Sequence, residues 1–555
     1  MKRMTKLAAV LMTAAIFSAQ GRAQTPTSTD TGSTSKVDAL QSTVSDLKTS
    51  VTSLTETVVS TQAKVQEQID SPSAIHYKGI AITPIAFFAA EGVWRQHSVN
   101  SDVNTPLNSI PFPSANEGHV SELNFSGRQS RLGGLFEANP GTYKLSGYFE
   151  ADFLGVGTSS NNNQSNSYVL RQRQFWGKAE TQGGFTVTGG QMWSLVTEDR
   201  KGTDARTEIQ PNTIDAQYLV GYSWTRQPGF RVQQRWGDYK TGAVTVAMSV
   251  EQAQITNFTA SNITATEFFF AGVGQNGGLY NTAAGSPNPN VPGSASAIST
   301  YANNVFPDFI VKTAIDYPVF HFELGAMFRF MRDYYFPVTY GPTGTPSYAT
   351  NEISSTSQAG GVFGAARAYI GKVAEVALEG MAGTGLGRYG SSQLADATLK
   401  PDETLEPIKT YHGLLSIETH LTPKLDAYVY YGGEYAQRTV YQLPYTNGPM
   451  TGYGPKTLSD TGCYNLPTDT SGLTNGTGGA IAAVSCASPT RYIQEAMGGV
   501  TYKVVNSPKY GKLQYQLTYS YIQRNLWSGV GSATTPSGPR ATEPMVHVSM
   551  RYYIP

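Results

Sequence analysis

The sequence predicts an all-β chain: a 16-stranded antiparallel transmembrane β-barrel behind an N-terminal α-helical coiled coil. Three observations predict it. From about Ile80 onward, segments of roughly nine to fourteen residues alternate apolar with polar or small side chains, the period-two signature of a barrel wall. The connections between those segments alternate strictly between short and long. The first residues are those of an exported chain, and a heptad repeat separates them from the barrel.

The N-terminus, MKRMTKLAAVLMTAAIFSAQGRAQ, has a basic start at Lys2, Arg3 and Lys6 and a short apolar core from Leu7 to Ala19. Small residues follow at Gly21 and Ala23, so residues 1–23 read as a signal peptide cleaved after Ala23. Its apolar run is too short to cross a membrane, and no later stretch reaches the ~18 apolar residues of a transmembrane helix. Charged residues are only 14% of the chain, against ~25% in ordinary globular proteins, while Gly (57) and Tyr (33) are abundant. This is the composition of an exported all-β protein. Basic and acidic residues balance at 40 each, and removal of the signal with Lys2, Arg3, Lys6 and Arg22 leaves a mildly acidic mature chain. Nucleic acid is therefore not an expected partner.

Residues 24–36 are Ser/Thr-rich and aperiodic, and are expected to be a linker. The heptad begins at once: Val37, Val44, Val51, Val58 and Val65 at a, with Leu40, Leu47 and Leu54 at d and Thr61 and Gln68 ending the stripe. This spacing predicts a coiled coil over 37–70, followed by a short linker at 71–79. Val at a with Leu at d leans toward two strands. The e and g positions are almost uncharged, so they do not choose a partner.

Sixteen strands are expected near 80–95, 121–138, 142–154, 168–180, 185–194, 229–237, 243–253, 308–317, 319–331, 358–371, 373–383, 407–421, 425–437, 490–504, 511–524 and 542–555. In 320–329, Phe320, Phe322, Leu324, Ala326 and Phe328 share one face, and His321, Glu323 and Arg329 the other. Every even strand is followed by a short turn and every odd strand by a longer loop, which places both barrel ends on the short-turn side. Closure follows because an open edge would leave backbone donors unpaired in lipid. Cys463 and Cys486 lie in one long loop of an exported chain, so a disulfide between them is expected.

Candidate site residues come from charge and parity. The loop at about 195–228 is charge-dense for so neutral a chain, with Glu198, Asp199, Arg200, Lys201, Asp204, Arg206 and Glu208, and is expected to fold inward as a constriction. Arg171 and Arg173 share one face of the fourth strand, and Arg231 and Arg235 one face of the sixth. An arginine facing lipid at mid-depth costs ~2–4 kcal/mol, so these four should point into the lumen. Arg128 and Arg131 have opposite parity and are both luminal only if the second strand carries a bulge. Such arginines suit carboxylates, to which their planar fork donates two parallel bonds. They serve equally as wall partners for luminal Glu150, Asp152, Glu375 or Glu379. Catalytic constellations are absent: His321, His412, His420 and His547 are scattered, and no phosphate loop, metal set or cofactor motif occurs. An enzyme is not expected.

Several blocks carry a resemblance: GRQSRLGGLFEANPGTYKLSGYFEADFLG, SYVLRQRQFWGKAE, GGQMWS, YYGGEYAQR and LQYQLTYSYIQRN. They resemble the DcaP-like porins over roughly 121–254 and 425–555. The resemblance implies a homotrimeric, sixteen-stranded outer-membrane channel with a periplasmic coiled coil, taking up small anionic solutes such as dicarboxylates. By position it supports Arg128, Arg131, Arg171 and Arg173 as pore residues. The chain departs from the usual aromatic terminus of such barrels by closing on Ile554-Pro555. Two other functions remain open: a carbohydrate-selective pore, with inward Tyr428 and Tyr430 as stacking surfaces, and a structural anchor tying the outer membrane to the cell wall through the coiled coil.

Overall fold

The structure is a computed structural model and describes residues 31–70, 74–155, 168–215, 219–223, 225–255, 269–271, 305–464, 486–531 and 537–555. The expected signal peptide lies outside these residues. The chain divides into two compact units, Met1–Ser73 and Ala74–Pro555.

The first unit contributes one helix, α1 (Thr31–Asp70), which begins inside the stretch expected to be a linker. Its a and d side chains from Leu40 to Val58 are more than half exposed. The helix is seen as a single strand of helix, not as a coiled coil.

The second unit is a closed antiparallel barrel. Its strands are β1 (Ile80–Arg95), β2 (Glu122–Ser126 and Arg131–Ala138), β3 (Tyr143–Asp152), β4 (Arg171–Thr181), β5 (Phe185–Trp193) and β6 (Arg226–Asp238). They continue with β7 (Gly242–Glu251), β8 (Asp308–Tyr317), β9 (Phe320–Tyr335), β10 (Ile353–Ile370) and β11 (Ala374–Thr384). The last are β12 (Lys409–Thr422), β13 (Leu425–Ala436), β14 (Thr490–Ser507), β15 (Gly511–Leu526) and β16 (Arg540–Tyr553). Each pairs with its sequence neighbour, and β1 pairs with β16 from Phe87↔Tyr553 to Arg95↔Met545, which closes the ring. The expected strand count and the short/long alternation are both present. A short strand, Ile75–Tyr77, folds back on β1 within the stretch expected to be a linker.

Burial is inverted relative to a water-soluble protein. On β9, Phe322, Leu324 and Phe328 are exposed, whereas His321, Glu323 and Arg329 are buried. On β15, Tyr515, Leu517, Tyr519 and Tyr521 are exposed and Gln514, Gln516, Thr518 and Ser520 are buried. The outer face is thus apolar and the inner face polar, because successive side chains of a strand point to opposite sides.

Apolar cores lie inside the ring. At the long-loop end, Leu107, Ile110 and Phe112 of the β1–β2 loop pack with Leu394, Ile408, Tyr453 and Cys463 of later loops onto Ile493, Ile522 and Met545. Cys463 is bonded to Cys486, as expected, so the β13–β14 loop is tied at the edge of this core.

Candidate functional site

The β5–β6 loop (194–225) folds into the ring and docks on strands around most of its circumference. Two buried ion-pair sets hold its first half. Glu198 receives both arms of Arg367 on β10 at 2.9 Å. Asp199 receives Lys312 of β8 at 2.7 Å, and Lys312 also reaches Glu323 of β9 at 3.0 Å. Glu323 accepts the Asp199 N–H at 2.9 Å, and Asp316 accepts the Gly202 N–H at 3.0 Å. His321 sits between these two carboxylates, 2.8 Å from Asp316 and 2.9 Å from Glu323. Buried charges survive only when paired and hydrogen-bonded in this way.

The second half crosses to the far wall. Asn212 donates its N–H to Tyr430 at 2.8 Å and its side-chain amide to Glu418 at 2.9 Å. The Val220 and Gly221 N–H groups reach Glu495 and Glu434, both at 2.9 Å. Here the loop meets the wall backbone to backbone. A β-carbon on Gly432 would strike the Val220 carbonyl, and one on Gly221, whose φ is +88°, would strike that of Gly413. Glycine is what allows this approach. Asp215 lies wholly buried, accepting the Thr105 N–H at 3.2 Å with His547 at 3.9 Å.

Burial pushes the Asp215 carboxyl up to about 7, with the Arg95 charge opposing the shift. The neutral acid is therefore favoured in the docked loop, relative to a free Asp near ~3.9. Its contribution to docking is complete below that free value and is lost as pH rises through about 7. Amides of 210–215, corrected for intrinsic rates, should exchange more slowly at pH 5 than at pH 8. Asp215→Asn should abolish that difference; an unchanged difference in the variant contradicts the assignment.

Along β2 to β6 the loop leaves inward side chains in contact with water. Arg171 is 29% exposed and binds Asp152 through two nitrogens, at 2.9 and 2.8 Å. Arg173 is fully buried behind it, 2.6 Å from Glu150 and 2.7 Å from Asp152. Arg173 is the extra residue of a bulge, since Glu150 pairs with Gln174 and Ala151 with Gln172. Arg131 stands 3.4 Å from Glu150 and stacks on Phe87. The second strand is interrupted over 127–130, and the interruption resolves the opposite parities of Arg128 and Arg131. Arg128 reaches Asp102 at 2.8 Å and stacks on Tyr168, while Arg131 reaches Glu150.

Lower in the ladder, exposed Arg206 stacks on Tyr148, Lys178 binds Asp204 at 2.7 Å, and Arg235, 32% exposed, meets Glu180 at 3.5 Å. Exposed Lys201 and Arg235 both lie over the Tyr239 ring. Arg200 binds Glu375 at 2.8 Å. The Glu208 carboxylate accepts the Arg206 N–H at 2.8 Å. Arg231, expected as a pore residue, is instead buried and donates to the carbonyls of Trp193 and Thr203, holding the loop. Tyr428 and Tyr430 do point inward, but both are buried at 2% exposure or less, Tyr430 under Asn212. They offer no stacking surface.

Two further arginines belong to this site. Arg551 on β16 pairs with Glu91 at 2.6 Å. Arg226, the first residue of β6, stacks on Trp193 and feels the charges of Arg173 and Arg171. Parity alone identifies Arg551, which alternates with outward Met550 and Tyr552. Among the described residues no group of His, Cys, Asp and Glu has the arrangement of a metal site.

No model of a known protein family matches the chain, and no curated protein does. Among solved structures it is similar to the outer membrane channel DcaP of Acinetobacter baumannii. The two share 13% identity with a TM-score of 0.53, over 87% of this chain and 99% of that one. This chain shares the fold of that outer-membrane channel. The anion-selective porin from Comamonas acidovorans superposes less well, at 10% identity and a TM-score of 0.41, over 86% of this chain and 100% of that one. OmpF of Salmonella typhi gives 11% and 0.41, over 87% and 100%.

Proposed function

We propose that this protein is an outer-membrane porin: a passive diffusion channel for small hydrophilic solutes that favours small anions such as dicarboxylates. The observation that carries this reading is the ladder on β2 to β6. There Arg128, Arg131, Arg171, Lys178, Arg206 and Arg235 reach water beside Asp102, Asp204 and Glu180, while Arg173 is buried with Glu150 and Asp152, so cations outnumber carboxylates seven to five. A surplus of guanidinium groups beside a low-dielectric wall raises the local concentration of anions. The apolar outer face fits a barrel that crosses the hydrocarbon layer, with the short turns and both barrel ends in the periplasm and the long loops outside. The fold shared with DcaP, described as an outer membrane channel, supports the setting. A carbohydrate slide loses its residues, since Tyr428 and Tyr430 are covered.

The experiment is solute uptake into liposomes holding the purified full chain. Succinate should enter several-fold faster than a neutral pentose of similar size. Equal rates refute the anion preference, and no uptake of either refutes the channel.

The exposed Val and Leu stripe of α1 fits a coiled coil joining three copies in the periplasm, raising the effective concentration of the barrels for one another. Deleting 37–70 should lower trimer yield or heat resistance and leave β-content intact. Identical mass by light scattering with and without the segment removes this role.

A further inference from the structure

The outer rim at the long-loop end of β12 to β16 carries cations that the channel does not use. Arg491 is the extra residue of a bulge at the start of β14, where the register with β15 jumps from Thr490 to Tyr492. Its guanidinium carbon lies 4.7 Å from the centre of the Trp527 ring. That of Arg438, just past β13, lies 4.6 Å from the same ring. Tyr435 meets Trp527 edge-on at 5.9 Å and alternates with inward, buried Glu434 and Ala436, so Tyr435 faces outward while Trp527 joins it to the apolar core at the long-loop end. Two exposed cations flank this group. Lys409 heads β12 on the face of exposed Tyr411, and its carbonyl accepts the Gln437 N–H beside Arg438. Arg540 heads β16, opposite Asn525, which is itself opposite Tyr492. Arg540 thus stands two strand spacings, about 10 Å, from Tyr492.

These four differ from the arginines inside the ring. Arg95, Arg131, Arg173, Arg329, Arg367 and Arg551 each hold a carboxylate. Among the described residues, none of Lys409, Arg438, Arg491 and Arg540 has one within 4 Å. Arg438 and Arg491 spend one nitrogen each on the carbonyls of Ser528 and Ser537. Their Nε atoms are buried without a hydrogen-bond partner. Burial and then the Arg491 charge lower the Arg438 pKa, and the more distant Asp460 charge opposes them only in part. Two guanidinium groups gathered on one indole are stable when an anion joins them, and a phosphate oxygen pair matches their fork. A rim of aromatic side chains on a barrel marks the depth at which lipid headgroups lie.

We propose that this rim binds the phosphate groups of an outer-leaflet lipid headgroup, with Arg438 and Arg491 as direct ligands and Lys409 and Arg540 flanking them. The inference rests on the reading of the barrel as crossing the outer membrane with its long loops outward. Native mass spectrometry of the full chain in detergent, titrated with diphosphorylated lipid A, tests it. The wild-type protein should retain that lipid and should not retain the same lipid stripped of phosphate. Arg438→Gln with Arg491→Gln should weaken retention at least tenfold. Lys409→Gln with Arg540→Gln, both at exposed strand ends, should weaken it less and serves if the first pair fails to fold. Equal retention by wild type and both variants, or of the dephosphorylated lipid, overturns the proposal. Displacement of the lipid by inorganic pyrophosphate assigns the site to free phosphate and overturns the lipid; no displacement supports it. Conductance in planar bilayers is read on the same samples. A protein that keeps the lipid but passes no current refutes the channel alone, and one that conducts but ignores phosphate refutes this site alone.

Discussion

Changing Arg131 and Arg171 together to Gln should reverse the ion preference of the channel while leaving the barrel folded. Both side chains reach water, and Arg173 stays behind them to hold Glu150 and Asp152. The local balance then passes from three arginines against two carboxylates to one against two. At a wet wall each removed charge is worth on the order of 1 kcal/mol, roughly fivefold in the anion-to-cation permeability ratio. The pair should thus lower that ratio by about an order of magnitude or more, and less at high salt, where the Debye length shrinks. Arg173→Gln is a poorer choice, because it strips two buried carboxylates of their shared partner. Asp199→Asn is equally unsuitable for the opposite shift, since Asp199 is the buried partner of Lys312. Asp204, which is 25% exposed beside Lys178, is the acidic position to neutralise: Asp204→Asn should raise the ratio. Permeability ratios of wild type and variants in one salt gradient decide this, and an unchanged ratio in the double variant removes these arginines from selectivity.

Lys312→Met should release the loop. It leaves Asp199 buried without its cation and Glu323 with His321 alone, a loss of ~3–5 kcal/mol for one broken buried pair. The Thr197 carbonyl, which Lys312 also reaches at 3.0 Å, loses its donor as well. Amides of 197–208 should lose most of their exchange protection, while those of β12 to β16 keep theirs. Single channels should become noisy, because the loop then moves across the lumen. Protection equal to wild type shows that Lys312 does not anchor the loop.

The wall was legible because its signals are local. Side-chain parity and turn length are properties of a few adjacent residues, and the strand edges read from them match the sixteen strands closely. Cys463 and Cys486 were legible for the same kind of reason, two cysteines in one loop of an exported chain. What escaped depends on partners distant in sequence. The bulge at Arg173 is defined only against Glu150 and Ala151, whereas the opposite parities of Arg128 and Arg131 already called for the irregularity that the interruption at 127–130 supplies. Inward parity placed Arg231, Tyr428 and Tyr430 correctly in direction. The folded loop covers them, and nothing near them in sequence announces it. Gly413 and Gly432, glycines within otherwise regular strands, were the available sign that a backbone would come close. At the N-terminus, Thr and Ser have modest helix propensity, so Thr31–Lys36 read as a linker although the helix continues through them.

The function we propose is an open channel whose basic wall prefers anions. The zero-current potential of the purified full chain in a planar bilayer, under a tenfold gradient of potassium chloride, tests it most directly. A conducting channel is expected whose potential has the sign of chloride preference and shrinks as total salt is raised. A potential of the opposite sign that the Arg131→Gln, Arg171→Gln pair leaves unchanged would contradict it.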